Sequence, residues 1–297
     1  MANTIEMATL FQTQLDRQIT QDATSNFLEA NAGQVIYHGG DTVKIPKIDM
    51  DGLADYSRTT GYTQGGVTLS YETFKMTQDR GRSFNIDAMD VDESNFLVTA
   101  GNVMGDFQRT KVIPEIDLYR WNKIYTAANG KSHATAADLT KDTIVAALEK
   151  DITAVEDAAG THNGLVIVMN TLTSALLDQA IPKQLNPVEF TAGQIHTQVQ
   201  AYNDIPIIKV SSSRMKTTVS KDSSTQAIAG SGQDIHWLIF PQFAPIAVSK
   251  TDTVRIFDPT TYQGANAWHI DYRKFHDIWI PENRLTAIYA HTAAAGK

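Results

Sequence analysis

The chain opens on a polar stretch whose apolar positions are Ile5, Leu10, Phe11, Leu15, Ile19, Phe27 and Leu28, and Met7 to Ile19 has the spacing of an amphipathic helix. "NAGQVIYHGGD" (31–41) then breaks any helix and delivers an extended segment. "DTVKIPKID" (41–49) alternates through Val43 and Ile45, and Pro46 marks it as edge-like because proline cannot donate to a ladder. "GVTLSYETFKM" (66–76) alternates through Val67, Leu69 and Tyr71, then shifts phase to Phe74 and Met76, which predicts a bulge or a change of pairing. Between the two runs, "MDGLADYSRTTGYTQG" (50–65) holds turn formers and tyrosines. The pattern therefore predicts a long two-stranded excursion over 41–78.

The period changes over 91–128, where Phe96, Leu97, Val103, Met104, Phe107, Ile113, Ile116, Leu118, Tyr119, Trp121 and Ile124 supply one helical face. Asp92 or Ser94 is placed to cap its start, and Pro114 either kinks it or begins a second helix at its first turn. "ANGK" (128–131) ends it. "LTKDTIVAALEKDITAVEDAAG" (139–160) predicts a further helix with Thr140 as cap and Gly160 as stop. "GLVIVM" (164–169) reads as a buried strand, "TLTSALLDQA" (171–180) as a short helix and "IPIIKV" (205–210) as a strand. Residues 211–234 are polar, a surface loop or hairpin. The mixture over 136–240 implies a small α/β or α+β domain. The remainder is strands: "IHWLIF", "APIAVSK", "DTVRIFD", "NAWHIDYRKFHDIWI" and "RLTAIYAH", with Trp268, Ile270 and Tyr272 alternating toward one face.

The excursion poses an energetic problem. Ordering some 35 residues costs roughly 1–2 kcal/mol each in backbone entropy, and an isolated hairpin with so small an apolar face cannot return that much. The missing burial has to come from the body of the protein or from a partner.

Composition narrows the possible functions. At 297 residues, 42% hydrophobic and 20% charged, the chain is globular and long enough for a substantial core. It has no cysteine, which removes disulfides, thiolate metal ligands and thiol nucleophiles, and weakly favours a reducing compartment. The N-terminus lacks a basic cluster followed by an apolar run and is a poor signal peptide. The most apolar segments, "GLVIVM" and "WLIF", fall far short of a bilayer span, so no membrane partner is expected. A net charge of −8 and no basic block argue against sequence reading of DNA or RNA, whose binders replace phosphate counterions with positive charge.

Candidate chemistry is sparse. Asp87, Asp90, Asp92 and Glu93 crowd together, but "DAMDVDES" lacks the glycine and ligand offsets of a calcium loop, and "DMDG" (49–52) is only the beginning of one. These acids read as capping and strand-to-helix junction charge. "AGSGQD" (229–234) has two glycines of a dinucleotide fingerprint and no helix after it, and no Walker A, G-x-S-x-G or H-E-x-x-H pattern occurs. His269 and His276, seven apart, face opposite ways on a regular strand. Arg80 and Arg82 beside Asp87, and Arg273 near Asp271 and Asp277, read as structural or intersubunit ion pairs. Tyr56, Arg58 and Tyr62 at the excursion tip suit a protein–protein anchor better than a base-stacking platform, given the charge. No catalytic, cofactor-binding or metal residue is assigned.

The order of these elements, and "GGDTVKIPKIDMDGLADYSR", "YETFKMTQDRGRSFNIDAMDVDES", "VIPEIDLYRWNKI" and "DTVRIFDP…NAWHIDYRKFHDIWIPENRLTAIYAH" in particular, resembles the major capsid proteins of tailed bacteriophages, the family with the HK97-type fold. The resemblance covers nearly the whole chain and implies an α+β fold. In it, 1–34 is an N-terminal arm, 35–82 an extended β-hairpin loop lying across a neighbouring subunit, and 83–135 a peripheral domain whose spine helix occupies 92–127. Residues 136–240 are a mixed α/β axial domain, and 241–297 are strands returning through the peripheral domain and rejoining the axial one.

It further implies a self-assembling structural protein, not an enzyme, that forms pentamers and hexamers of an icosahedral head around double-stranded DNA without binding its sequence. The head is assembled in the host cytoplasm, with a separate scaffolding protein (or a chain already in its mature form), a portal and sometimes a decoration protein. An encapsulin-like nanocompartment shell is the alternative, and a small-molecule enzyme with its pocket in the α/β part a more distant one. Some family members form a lysine–asparagine crosslink between subunits. Lys44, Lys47 and Lys75 lie in the relevant region, but no partner asparagine and activating glutamate can be matched, and no crosslink is expected.

Overall fold

A computed structural model describes residues 23–34, 36–37, 42–89, 100–160, 164–181, 186–192 and 195–294. The helix expected at Met7–Ile19 and the acids Asp90, Asp92 and Glu93 lie outside the described residues. In chain order, a 3-10 helix at Asn26–Gln34 leads into β1 (Ile36–Tyr37), β2 (Thr42–Met50), β3 (Val67–Lys75) and β4 (Gln78–Asp87). Helix α1 (Ala100–Phe107) runs through a π turn at Gln108–Val112 into α2 (Ile113–Gly130). Then come β5 (Ala134–Ala136), α3 (Ile144–Ala159), β6 (Leu165–Asn170), α4 (Thr171–Ala180), β7 (Asn186–Ala192), β8 (Ile195–Tyr202) and β9 (Ile205–Val210). The chain finishes with β10 (Lys216–Lys221), β11 (Ile228–Pro241), β12 (Ile246–Phe257), β13 (Ala267–Trp279) and β14 (Tyr289–Thr292).

Among the described residues the strands form three sheets. A mixed eight-stranded sheet has the order β5-β14-β11-β6-β9-β8-β7, with β10 added to β11; the others are three-stranded, β12-β13-β4 and β1-β2-β3. The two continuous apolar runs sit at the centre of the mixed sheet because both of its faces are covered. On β6 and β11, Leu165, Ile167, Met169, Trp237 and Ile239 point to a core shared with Ile144, Leu148, Ile152 and Val155 of α3. Val166, Val168, Leu238 and Phe240 point the other way, to Trp121, Ile124 and Ala128 of α2 and to Phe27 and Leu28.

The other end of the helical column lies on the β12-β13-β4 sheet, where Met104, Val112 and Ile116 meet Ile86, Val254, Ile270 and Tyr272. One helical column thus spans two sheets. Pro114 does not break it. The Ile113 N–H bonds the Gln108 carbonyl, a π spacing, just before the proline that cannot donate, and Pro114 falls in the first turn of α2.

Three expectations are corrected. The phase shift in β3 is not a bulge, since β2 and β3 pair in unbroken register from Thr42↔Lys75 to Met50↔Val67. Thr140 does not directly cap α3, whose preceding residue is Thr143; the Thr143 hydroxyl accepts the Thr140 N–H at 3.0 Å, one turn upstream. "APIAVSK" and "DTVRIFD" form one strand, β12, with an irregularity between Ser249 and Thr251. Gly160 ends α3 in the left-handed region, at φ 66°, where glycine is favoured.

Candidate functional site

The β2–β3 hairpin is the part of the molecule whose chemistry is incomplete. Residues directly opposite in an antiparallel pair share a face, so the register sorts its side chains into two sets. Val43, Phe74 and Ile45 share one, and they pack at the hairpin base with Met76 against Ile246, Val248 and Trp279. Phe74 and Trp279 stack with ring centroids 5.8 Å apart. Further out the same face turns polar, with Lys47, Ser70, Asp49 and Thr68.

The opposite face carries Pro46 and Tyr71, Ile48 and Leu69, Met50 and Val67. It is apolar, and its large side chains are between 50% (Tyr71) and 70% (Val67) exposed. The phase shift between Tyr71 and Phe74 therefore marks the point where the apolar residues change faces. They look inward at the base and outward along the shaft. Burying such side chains is worth roughly 1.5–3 kcal/mol each, and among the described residues none supplies that burial.

The tip is shaped without a core. The Asp51 carboxylate accepts the Gly66 N–H at 2.7 Å, and the Ser57 hydroxyl accepts the N–H groups of Thr59 and Thr60 at 3.2 Å. Tyr56 and Tyr62 touch with centroids 4.9 Å apart, while Leu53, Arg58 and most of both rings face solvent. Of the three anchor candidates of the tip, Tyr56 and Tyr62 are thus in contact, and all three are exposed or largely so.

The ion-pair candidates are structural, with different partners from those the sequence put beside them. Arg80 makes a two-pronged pair with Glu115 of α2 (2.7 and 3.1 Å) and donates to the Gln226 carbonyl at 2.8 Å. Arg82 donates to the Thr225 carbonyl at 2.7 Å. Together they hold the β10–β11 tip against β4. Arg273 pairs with Asp79, not with Asp271 or Asp277, at 2.9 and 2.6 Å.

Asp87 accepts the Met89 N–H at 2.9 Å, as a junction acid does. His269 lies on the outer face of β13 beside Asn85 and Asp271, whereas His276 is buried, and desolvation with nearby Arg120, Lys274 and Arg80 drives its pKa well below the usual histidine range. "AGSGQD" belongs to β11, so its glycines form no phosphate loop. Among the described residues no group of three or more metal-ligating side chains converges, and no helix is long and apolar enough to cross a membrane.

Sequence reasoning misses a buried polar network inside the long helix. Asp117, fully buried, accepts the N–H groups of Thr24 and Ser25 at 3.1 Å and both their hydroxyls at 2.6 Å. Arg214 donates to the same carboxylate at 3.0 Å. Arg120, also buried, donates to the Ser25 carbonyl and pairs with Glu29; burial pushes the Glu29 pKa up, but Arg120, Lys274 and the Ser249 hydroxyl together bring it below the usual glutamate value. The network fastens residues 24–29 to α2. In sequence, Asp117 and Arg120 look like ordinary charges on a helix surface. Only the partners, more than 90 positions away, distinguish them.

No protein-family model matches the chain, and no curated protein does. Solved structures do match. The mature capsid of bacteriophage PhiM1 superposes with a TM-score of 0.60 at 12% identity, over 87% of this chain and 83% of that one. The capsid of cyanophage P-SCSP1u gives 0.54 at 12% identity, covering 88% and 85%. A virus-like particle from Pyrococcus furiosus gives 0.55 at 12% identity, covering 96% and 99%.

The chain has the HK97-type capsid fold. Its long helix and its β-sheet regions match that architecture as it is seen in the phage structures.

Proposed function

We propose that this chain is the major capsid protein of a tailed bacteriophage, forming pentamers and hexamers of an icosahedral head around double-stranded DNA. The observation that carries the reading is the outward apolar face of the β2–β3 hairpin, left exposed and without a partner among the described residues of a subunit with a capsid fold. A heterologous contact, one subunit's hairpin on the next subunit's body, closes into a ring when the rotation suits. In this reading 1–34 is the arm, 35–82 the extended loop, 83–135 the peripheral domain with its spine, 136–240 the axial domain, and 241–297 the return. The net charge of −8 suits a container that must release its nucleic acid. Scaffolding, portal and decoration proteins are its expected partners, and catalysis has no part in it.

The match to the Pyrococcus furiosus particle supports a second reading, a nanocompartment shell that encloses protein. Electron microscopy of the purified chain, with and without a scaffold, tests both. Closed shells support either reading, and nucleic acid or enzyme inside particles taken from their native host separates them. A small discrete oligomer under every condition contradicts both.

A further inference from the structure

We propose that the tip of the β2–β3 hairpin from a second copy of this chain docks in a basic groove where α2, β4 and the β10–β11 tip meet. This rests on the proposed packing of the hairpin on a neighbouring subunit, and names the surface that receives its end.

The groove has a volume of about 1000 Å³ and is bounded by β4, the π turn with the start of α2, and residues 224–230 of the β10–β11 hairpin. Its lining joins apolar side chains, among them Phe84, Phe107, Val112 and Leu118, to the cations Arg80, Arg82, Lys111, Arg214 and Lys274, with Glu115 the one acid of the lining. Three of these cations are already matched with carboxylates: Arg80 with Glu115, Arg214 with Asp117, and Lys274 with Asp252. Arg82 donates to a backbone carbonyl, and exposed Lys111 has no partner among the described residues. In a chain of net charge −8, this is a local excess of positive charge over an apolar floor.

The hairpin tip is its complement. Asp49, Asp51 and Asp55 lie toward the outer end of the hairpin with Arg58 among them; Lys47, inboard of Asp49 on the same face, pairs with Glu72 and Glu282, and none of the three acids forms an ion pair among the described residues. Between and beside them stand Leu53, Tyr56 and Tyr62, all exposed. An acidic segment with apolar and aromatic anchors fits a groove with an apolar floor and a cationic rim, because complementary charge fixes register and repels wrong partners. DNA offers the charge without aliphatic anchors, so the floor would remain uncovered.

The test uses two exposed residues, neither of which holds a structural contact. Lys111→Glu and Asp55→Lys, each alone, are expected to raise the subunit concentration needed for shell formation about tenfold at low salt, since facing like charges repel. The double swap is expected to return it to the wild-type value. As a readout independent of charge, wild-type-like shells co-assembled from Asp55→Cys chains and Lys111→Cys chains and treated with a short bismaleimide should yield mixed covalent dimers; the chain has no cysteine of its own to interfere.

The docking assignment falls if both single variants assemble like wild type, if the double swap gives no recovery, or if mixed dimers are absent from the shells. It also falls if Lys111→Glu shells assemble normally but lose bound nucleic acid, which would make DNA the occupant. In all these outcomes wild-type shells still form. Failure of wild-type chains to form shells at all would instead remove the functional reading beneath it.

Discussion

Two β-rich regions of this molecule use the same residue types to opposite ends. In the centre of the mixed sheet, Ile167, Val168, Leu238 and Ile239 are sealed from solvent on both faces by α2 and α3. Along the hairpin shaft, Ile48, Leu69 and Val67 make an equally apolar face and leave it open. Residue type alone does not distinguish them; the unbroken apolar run of the first against the alternation of the second does, and so does the company each face keeps. The first region's stability is internal to the subunit. The second region's apolar face gains its stabilisation only when another surface covers it.

The sharpest way to break this contrast is to damage the closed region. Trp237→Ala removes a fully buried ring and leaves Asp151 without the indole N–H that donates to it at 3.0 Å. A loss of about 3–5 kcal/mol is expected in chemical denaturation. Cutting the buried network at Asp117→Ala should cost a comparable amount, about 3–5 kcal/mol, because Arg214 and the Thr24 and Ser25 groups lose their common acceptor.

A smaller effect comes from titration. Burial lowers the pKa of His291 to about 4 and also depresses His236 and His276. These groups are neutral in the fold but charge more readily when unfolded, so stability is lost as the pH falls from about 6.5 toward 4. Asp151 runs the other way. Burial raises it to about 6, so the fold holds its proton above the usual aspartate range and gains stability as the pH falls from 6 toward 4. Asp151→Asn, which can still accept from Trp237, should therefore make the acid loss steeper. Urea midpoints at pH 6.5, 5.5 and 4.5 check it.

The smallest effect on the subunit is expected on the open face. Leu69→Ser should change the stability of the free subunit by no more than about 0.5 kcal/mol, while shell yield falls sharply. Equal losses in both would mean that Leu69 is buried within its own chain.

Much of the fold is legible in the sequence because burial on both sides leaves unbroken apolar runs, as in "GLVIVM" and "WLIF", and because a helix that lies on sheets keeps its 3.6 period. The hairpin's phase shift is also legible, but its meaning is not. A bulge and a change of core face leave the same trace in sequence, and only the continuous register separates them. The strands at 186–192 and 195–202 go unread, since Pro187 and Gly193 resemble loop punctuation. Arg80 and Arg273 are recognised as ion-pair residues but given the wrong acids. Sequence proximity favours Asp87 and Asp271, whereas the fold brings in Glu115 and Asp79.

The most direct measurement is the thiol reactivity of a Leu69→Cys variant, the single cysteine in an otherwise cysteine-free chain, in free subunits and in shells. Rapid labelling of the free subunit and strong protection in the shell is the predicted result. Equal, rapid labelling in both would show that no neighbour covers the hairpin shaft, and would contradict the account.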